Sequence, residues 1–160
     1  MTTSPNHSAA DEDIAEQGSA GSPPTPHVRD VMTVSVATCR ATDTLERSAQ
    51  LLWERACGCV VVVDDAQRPV AMLTDRDICM AAYTQGKTLA EIVVSSAMSR
   101  RLFTLEADAP LDAAERIMRL HCIRRLPVVD RGGTLIGLLS IADIAAKAPV
   151  GPTLGRDGLS

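Results

Sequence analysis

The apolar positions change period in a fixed order along the chain, and that order occurs twice. Val36 to Cys39 reads as a short strand. Asp43 then opens a helix, with Glu46 three residues on to complete a capping box. Leu45, Ala49, Leu52 and Ala56 recur at helical spacing and give this helix one apolar face, and Gly58 ends it. Cys59 to Val63 is wholly apolar and β-branched, the mark of a buried strand. Asp64-Asp65-Ala66-Gln67 predicts a turn and Val70 to Leu73 a further strand, after which Thr74 caps a second helix of about ten residues.

The second half repeats each step. Leu102 to Leu105 reads as a strand, and Pro110 sits in a first helical turn. Leu111, Ala114, Met118 and Cys122 line a helix face. Arg125 to Val129 and Leu135 to Leu139 are strands joined by the tight-turn sequence Asp130-Arg131-Gly132-Gly133. Ser140 caps a last helix and Pro149 stops it. Sliding the chain by 66 residues aligns Met32 with Met98, Leu45 with Leu111, Val62-Val63-Asp64 with Val128-Val129-Asp130, and Asp77-Ile78 with Asp143-Ile144, without a gap. A duplication explains matches that span the whole unit. The predicted class is α+β/α/β: two β-α-β-β-α units at 28–84 and 94–148, with 85–93 as the linker.

The flanks differ in composition. Residues 1–27 are rich in Ser, Thr, Pro, Gly and acids, too polar to offset chain entropy by burial, and read as a disordered tail. Residues 149–160 read as a second, shorter tail. The formal net charge of −4 sits in the first tail, because the body between them carries as many acidic as basic side chains. A neutral body with three aromatic residues, Trp53, Tyr83 and Phe103, suits neither a phosphate backbone nor base stacking, which argues against nucleic acid. No apolar run approaches a membrane span and no secretory signal precedes the body, so the default expectation is a cytoplasmic protein away from membranes. Five cysteines, an odd number beside a good apolar core, argue against a disulfide framework.

Two equivalent places can carry chemistry. Thr74-Asp75-Arg76-Asp77 and Ser140-Ile141-Ala142-Asp143 each put a hydroxyl at a helix N-cap and a carboxylate at the third helical position, straight after a strand. Free backbone N–H groups at such a start can hold a phosphate, and an acceptor-only carboxylate suits a ribose diol. Both are also ordinary capping boxes, which need no ligand.

Residues 28–148 resemble a tandem pair of CBS domains, a Bateman module. The resemblance is carried by VRDVMT, ATDTLERSAQLL, CGCVVVVDD and AMLTDRDI, then by APLDAAERIM and IRRLPVVDRGGTLIGLLSIADI. It implies two units packed pseudo-symmetrically through their sheets, and modules that pair into discs. It also implies a non-catalytic regulatory role and an adenosine-containing ligand in clefts between the units: AMP, ADP, ATP, S-adenosylmethionine, NAD or a cyclic dinucleotide. No further cofactor is required. Carried over by position, one cleft gathers Thr74, Arg76 and Asp77 with Thr38 and Cys59, Val60, Val61. The other gathers Ser140 and Asp143 with Thr104 and Arg125, Leu126, Pro127. The copies differ at Ala71/Gly137, Val61/Pro127 and Arg76/Ala142, so the clefts are expected to be unlike. The Ala71 methyl is expected to narrow the first, and the second lacks a cation at 142 unless Arg124 or Arg125 supplies it.

The remaining features are read more simply. No GxSxG, HExxH, GxxxxGK[ST] or GxGxxG occurs, and Asp75 and Asp77 do not face each other on a helix, so no enzyme is expected. The cysteines lack zinc-ligand spacing and read as small core residues, with a reversible Cys39–Cys59 disulfide as the minor alternative. Trp53, whose counterpart is Arg119, reads either as partial core packing or as an anchor at a homodimer interface. No fused effector domain is expected, so the output would pass through a partner in trans or through the tail. The competing reading is a dimeric interaction or stress-response protein whose clefts bind nothing.

Overall fold

The structure, a computed structural model, describes residues 26–147. The tails read at 1–27 and 149–160, and Pro149 as a helix stop, therefore fall outside the described residues apart from Pro26 and His27.

The two units are each β-α-β-β-α, as the periodicity predicts. In the first, β1 (Thr38–Cys39) leads through α1 (Leu45–Glu54) to β2 (Cys59–Val63), then β3 (Pro69–Thr74) and α2 (Asp75–Gln85). In the second, β4 (Leu105–Glu106), α3 (Leu111–His121), β5 (Arg125–Val129), β6 (Leu135–Ser140) and α4 (Ile141–Lys147) repeat that order. Each unit builds a three-stranded sheet, β1-β2-β3 or β4-β5-β6. The helical crossover makes β1 parallel to β2 and β4 parallel to β5, and the tight turns make β2–β3 and β5–β6 antiparallel. The irregularity falls at matching places, between Val62 and Val63 and between Val128 and Val129.

Strand alternation splits the buried residues into layers. Val60, Val62, Ala71 and Leu73 turn toward Leu45, Leu52 and Ile78 of α1 and α2. Leu126, Val128 and Leu139 turn toward Leu111, Ala114, Met118 and Ile144 of α3 and α4. Val61, Val63 and Pro127 are equally buried but lie on the opposite sheet faces, where the units meet. The turns cross that boundary too, because Leu135 N–H donates to Gln67 O at 2.9 Å.

A strap exchange locks the pair. Val28, in a 3-10 turn at Val28–Asp30, is fully buried in the second unit's core. Its counterpart Val94, in a 3-10 turn at Val94–Ser96, is fully buried in the first unit's core. Thr33 then pairs with Leu138 through two hydrogen bonds of 2.9 Å, and Ser99 pairs with Met72 in the same way. Burying one valine contributes roughly 1.5–3 kcal/mol, so each strap binds the units together more firmly than a surface contact would. The segment read as a linker supplies Ile92 to the first core, where Ile92 O accepts from Leu45 N. Pro26 and His27, at the end of the segment read as a tail, are held against Pro110 and Leu111.

Several local expectations are corrected. The α1 cap is Thr44, whose hydroxyl accepts from Arg47 N, because the Asp43 carboxylate is engaged by Arg40 N at 2.7 Å. That helix ends at Glu54 rather than Gly58, since Ala56 adopts a left-handed φ of 48°. Cys122 does the same at φ 53° and is exposed, not on the apolar face. Fully buried Ser48 fills the place next to Leu45 that the apolar pattern skipped. Cys39 pairs with Val62, three residues from Cys59. Three strand residues span ~10 Å, well beyond disulfide reach, and all five cysteines are free thiols.

Candidate functional site

The hydroxyl–carboxylate pairs at the two strand-to-helix junctions are near-identical. Thr74 N donates to Asp77 Oδ2 at 2.8 Å and Thr74 Oγ1 donates to it at 2.7 Å, while Asp77 N donates back to Thr74 Oγ1 at 3.2 Å. Ser140 and Asp143 repeat these at 2.8, 2.7 and 3.2 Å. Each arrangement holds one carboxylate oxygen. The other, Oδ1, makes no hydrogen bond among the described residues and is free to accept from a diol.

Around Ser140 and Asp143 lies a cleft of about 530 Å³ to which both units contribute. That volume suits a nucleoside-sized ligand. From the second unit come Arg125 and Leu138. From the first come the strap segment at Thr33, Ser35, Val36 and Ala37, and the turn from Arg55 to Cys59. Arg55 Nη1 donates to Ser35 Oγ at 3.2 Å, tying turn to strap. Gly58 lets the partner wall close in: a Cβ there would lie 3.3 Å from Arg125 Nη2 and 3.9 Å from Asp75 Oδ2. Burial pushes the Cys59 thiol pKa up, against the opposing pull of Arg125. Cys57 is hydrogen-bonded to Cys59 O at 3.4 Å. No group of three or more His, Cys, Asp or Glu able to hold a metal occurs among the described residues.

The cleft thus unites Arg125, Ser140 and Asp143, grouped together by the resemblance, with Cys59, which the resemblance put in the other cleft and which the turn after α1 carries here instead. Thr74, Arg76 and Asp77 stand at the equivalent junction of the first unit, with Arg76 exposed. Thr38 is half-buried in β1 and Thr104 is exposed just before β4, neither in the cleft wall. Val60, Val61, Leu126 and Pro127 are fully buried, so their side chains pack the sheets. The Ala71/Gly137 difference also has a packing origin: Ala71 is fully buried in the first core, so its methyl does not narrow a cleft. Arg125 supplies a cation to the second cleft despite Ala142. Thr33, Ser35, Arg55 and Gly58 were not foreseen, because the strap exchange alone brings them to Ser140. The 66-residue offset, applied to Val28 and Val94 together, was the available signal.

At the first unit's junction the equivalent positions are bulkier. Phe103 and His121 stack with centroids 3.9 Å apart and planes 17° from parallel. Arg101 Nη2 lies 3.4 Å from His121 Nδ1, with its Cζ 5.5 Å from the Phe103 centroid.

The chain is thus a duplicated α/β pair, strapped together across a cleft that ends on a hydroxyl–carboxylate pair. The chain belongs to the CBS-domain family, whose model matches residues 28–83 and 93–149. It is 36% identical over 120 residues to the CBS domain-containing protein YhcV of Bacillus subtilis, covering 75% of this chain and 84% of that one. It is 34% identical over 122 residues to the uncharacterized protein MK0525 of Methanopyrus kandleri, covering 76% of this chain but 62% of that relative. The CBS domain pair of protein MJ0100, solved with 5′-methylthioadenosine and S-adenosyl-L-methionine, superposes with a TM-score of 0.69 at 24% identity, over 77% of this chain and 95% of that one. At that identity the likeness establishes the fold. No helix among the described residues is long and apolar enough to cross a membrane.

Proposed function

We propose that this chain is a non-catalytic regulatory module that binds an adenosine-containing ligand between its two units. The observation that carries the reading is the two-sided cleft ending on Asp143, whose Oδ2 is held by Ser140 while Oδ1 stays available. An acceptor fixed in this way selects a vicinal diol. Its walls come from different units, so a bound ligand resists their separation and can alter a surface that a partner in trans reads. The adenosine complexes of the MJ0100 pair support the ligand class. Free thiols accord with a reducing cytoplasm as the working compartment.

A thermal-shift panel with AMP, ADP, ATP, S-adenosylmethionine, NAD and cyclic di-AMP tests this. Ligand at 100 times its dissociation constant adds about 2.7 kcal/mol of stability, a shift of several degrees. Asp143→Ala should abolish it. No shift with any compound would favour the second reading, a dimeric interaction protein with empty clefts. That reading draws on Trp53 and Tyr83, which are 88% and 83% exposed on the helical side of the first unit.

A further inference from the structure

We propose that each chain holds one ligand, in the Ser140–Asp143 cleft, that this ligand is a nucleoside 5′-phosphate, and that Arg55 is the residue that selects the phosphate. The inference rests on the reading above and adds the stoichiometry and the charge of the ligand.

The first argument is charge. Arg55 makes no ion pair among the described residues, and the one hydrogen bond of its guanidinium is to the Ser35 hydroxyl. A guanidinium carries five N–H donors in a planar fork that matches phosphate oxygens, so four remain for a ligand while Ser35 holds the group in place. Arg125 lines the same cleft, also without an ion pair among the described residues, and its side chain makes no hydrogen bond there. Of the two cations in this wall, Arg55 is the one held in place by a side-chain hydrogen bond, opposite a carboxylate, Asp143, that is suited to the ribose. A neutral or cationic 5′ substituent would leave Arg55 unanswered.

The second argument is space. At an offset of 66, Ser35 becomes Arg101, Ala37 becomes Phe103, Arg55 becomes His121 and Gly58 becomes Arg124. Three small residues are replaced by large ones, and two of the replacements are locked by the stacked Phe103–His121 pair and its Arg101 contact. The Arg55–Ser35 bond and the Arg101–His121 contact occupy equivalent places, so a joint made with a serine in one unit is made with larger, stacked side chains in the other. One face of Phe103 is covered by His121, which denies it to a base.

Isothermal titration of the full chain with AMP, adenosine and 5′-methylthioadenosine tests both arguments. AMP should bind at one per chain and at least about tenfold more tightly than either uncharged nucleoside, the range of a charge-assisted hydrogen bond. Arg55→Ala should bring AMP down to the affinity that the same variant shows for adenosine, and Arg55→Lys should keep part of the preference. Arg55 is exposed, so both variants should fold. Two AMP per chain, equal affinity for AMP and adenosine, or an Arg55→Ala chain that keeps the preference would each overturn the inference while leaving an adenosine site standing. Failure of all three compounds to bind would overturn the underlying reading as well.

Discussion

Gly137 is where the strap and the second sheet press hardest on each other, and Gly137→Ala measures that contact. A Cβ at this position would lie 2.5 Å from Met32 Sδ, 3.1 Å from Met32 Cγ and 3.3 Å from Thr33 O. The thioether must swing by more than an ångström, and the Thr33 backbone must give by a few tenths. Inserting a methylene-sized group into packed surroundings costs roughly 1–3 kcal/mol. Two hydrogen bonds of 2.9 Å between Thr33 and Leu138 are strained by the same shift, each worth about 1 kcal/mol. Against this, removing glycine's freedom from the unfolded chain stabilises by about 0.4–1 kcal/mol. The net loss is about 2 kcal/mol, or roughly 8 °C in Tm for an ordered body of this size. Calorimetry of Gly137→Ala, Met32→Ala and the double variant checks the cause. With the thioether gone, the added methyl should cost under about 1 kcal/mol, a coupling of at least about 1 kcal/mol. At the twin position the reverse exchange is the damaging one: Ala71 is fully buried, so Ala71→Gly should destabilise as well. A Gly137→Ala chain melting within about 2 °C of the parent, or losing as much in the Met32→Ala background, refutes the reasoning.

Two further outcomes are expected. Trp53, beside an apolar groove formed with Leu52, Ile78 and Leu89, should anchor a homodimer; light scattering at micromolar concentration should find a dimer. Trp53→Ala should weaken it tenfold or more, and a parent chain that is already monomeric rules the anchor out. Burial raises the Cys39 and Cys59 thiol pKa values, with Ser48 opposing at Cys39 and Arg125 at Cys59. The unfolded chain therefore loses these protons first. The stability they contribute is complete below the ordinary thiol range and falls as pH rises through it toward the folded values. Unfolding midpoints from neutral to alkaline pH should decline less steeply in Cys39→Ala than in the parent; parallel slopes would show that this thiol contributes nothing.

The repeat, the element order and the Thr74–Asp77 and Ser140–Asp143 pairs were legible in the residues because each is set by local chemistry: a period, a turn composition, a cap. What was not legible depends on contacts between distant segments. Asp43 offers as good a cap as Thr44 until Arg40 engages it. Cys39 can face any residue of β2 until the register places it opposite Val62. The Ala71/Gly137 difference looks like cleft chemistry until Met32 is seen lying on Gly137. The second cleft's wall was assigned to its own unit, whereas Ser35, Arg55 and Gly58 cross from the first because the straps exchange.

That exchange explains why two similar halves drift into unlike sites. Each core is completed by a valine from the other unit, so neither half folds against its own strap, and substitutions that keep Val28, Val94 and the sheet faces leave the scaffold intact. The cleft walls carry no such constraint. The symmetry is already broken at the shared boundary: Leu135 N–H donates to Gln67 O, but the equivalent donor is Pro69, which has no N–H. A contact that can form only once leaves the two sides of the pseudo-twofold unequal before any ligand arrives. One side then keeps serine, alanine and glycine beside an arginine, and the other has phenylalanine and histidine stacked at the equivalent positions. The duplication supplies a two-sided frame, and the loss of equivalence within it surrounds the two hydroxyl–carboxylate pairs with unlike side chains.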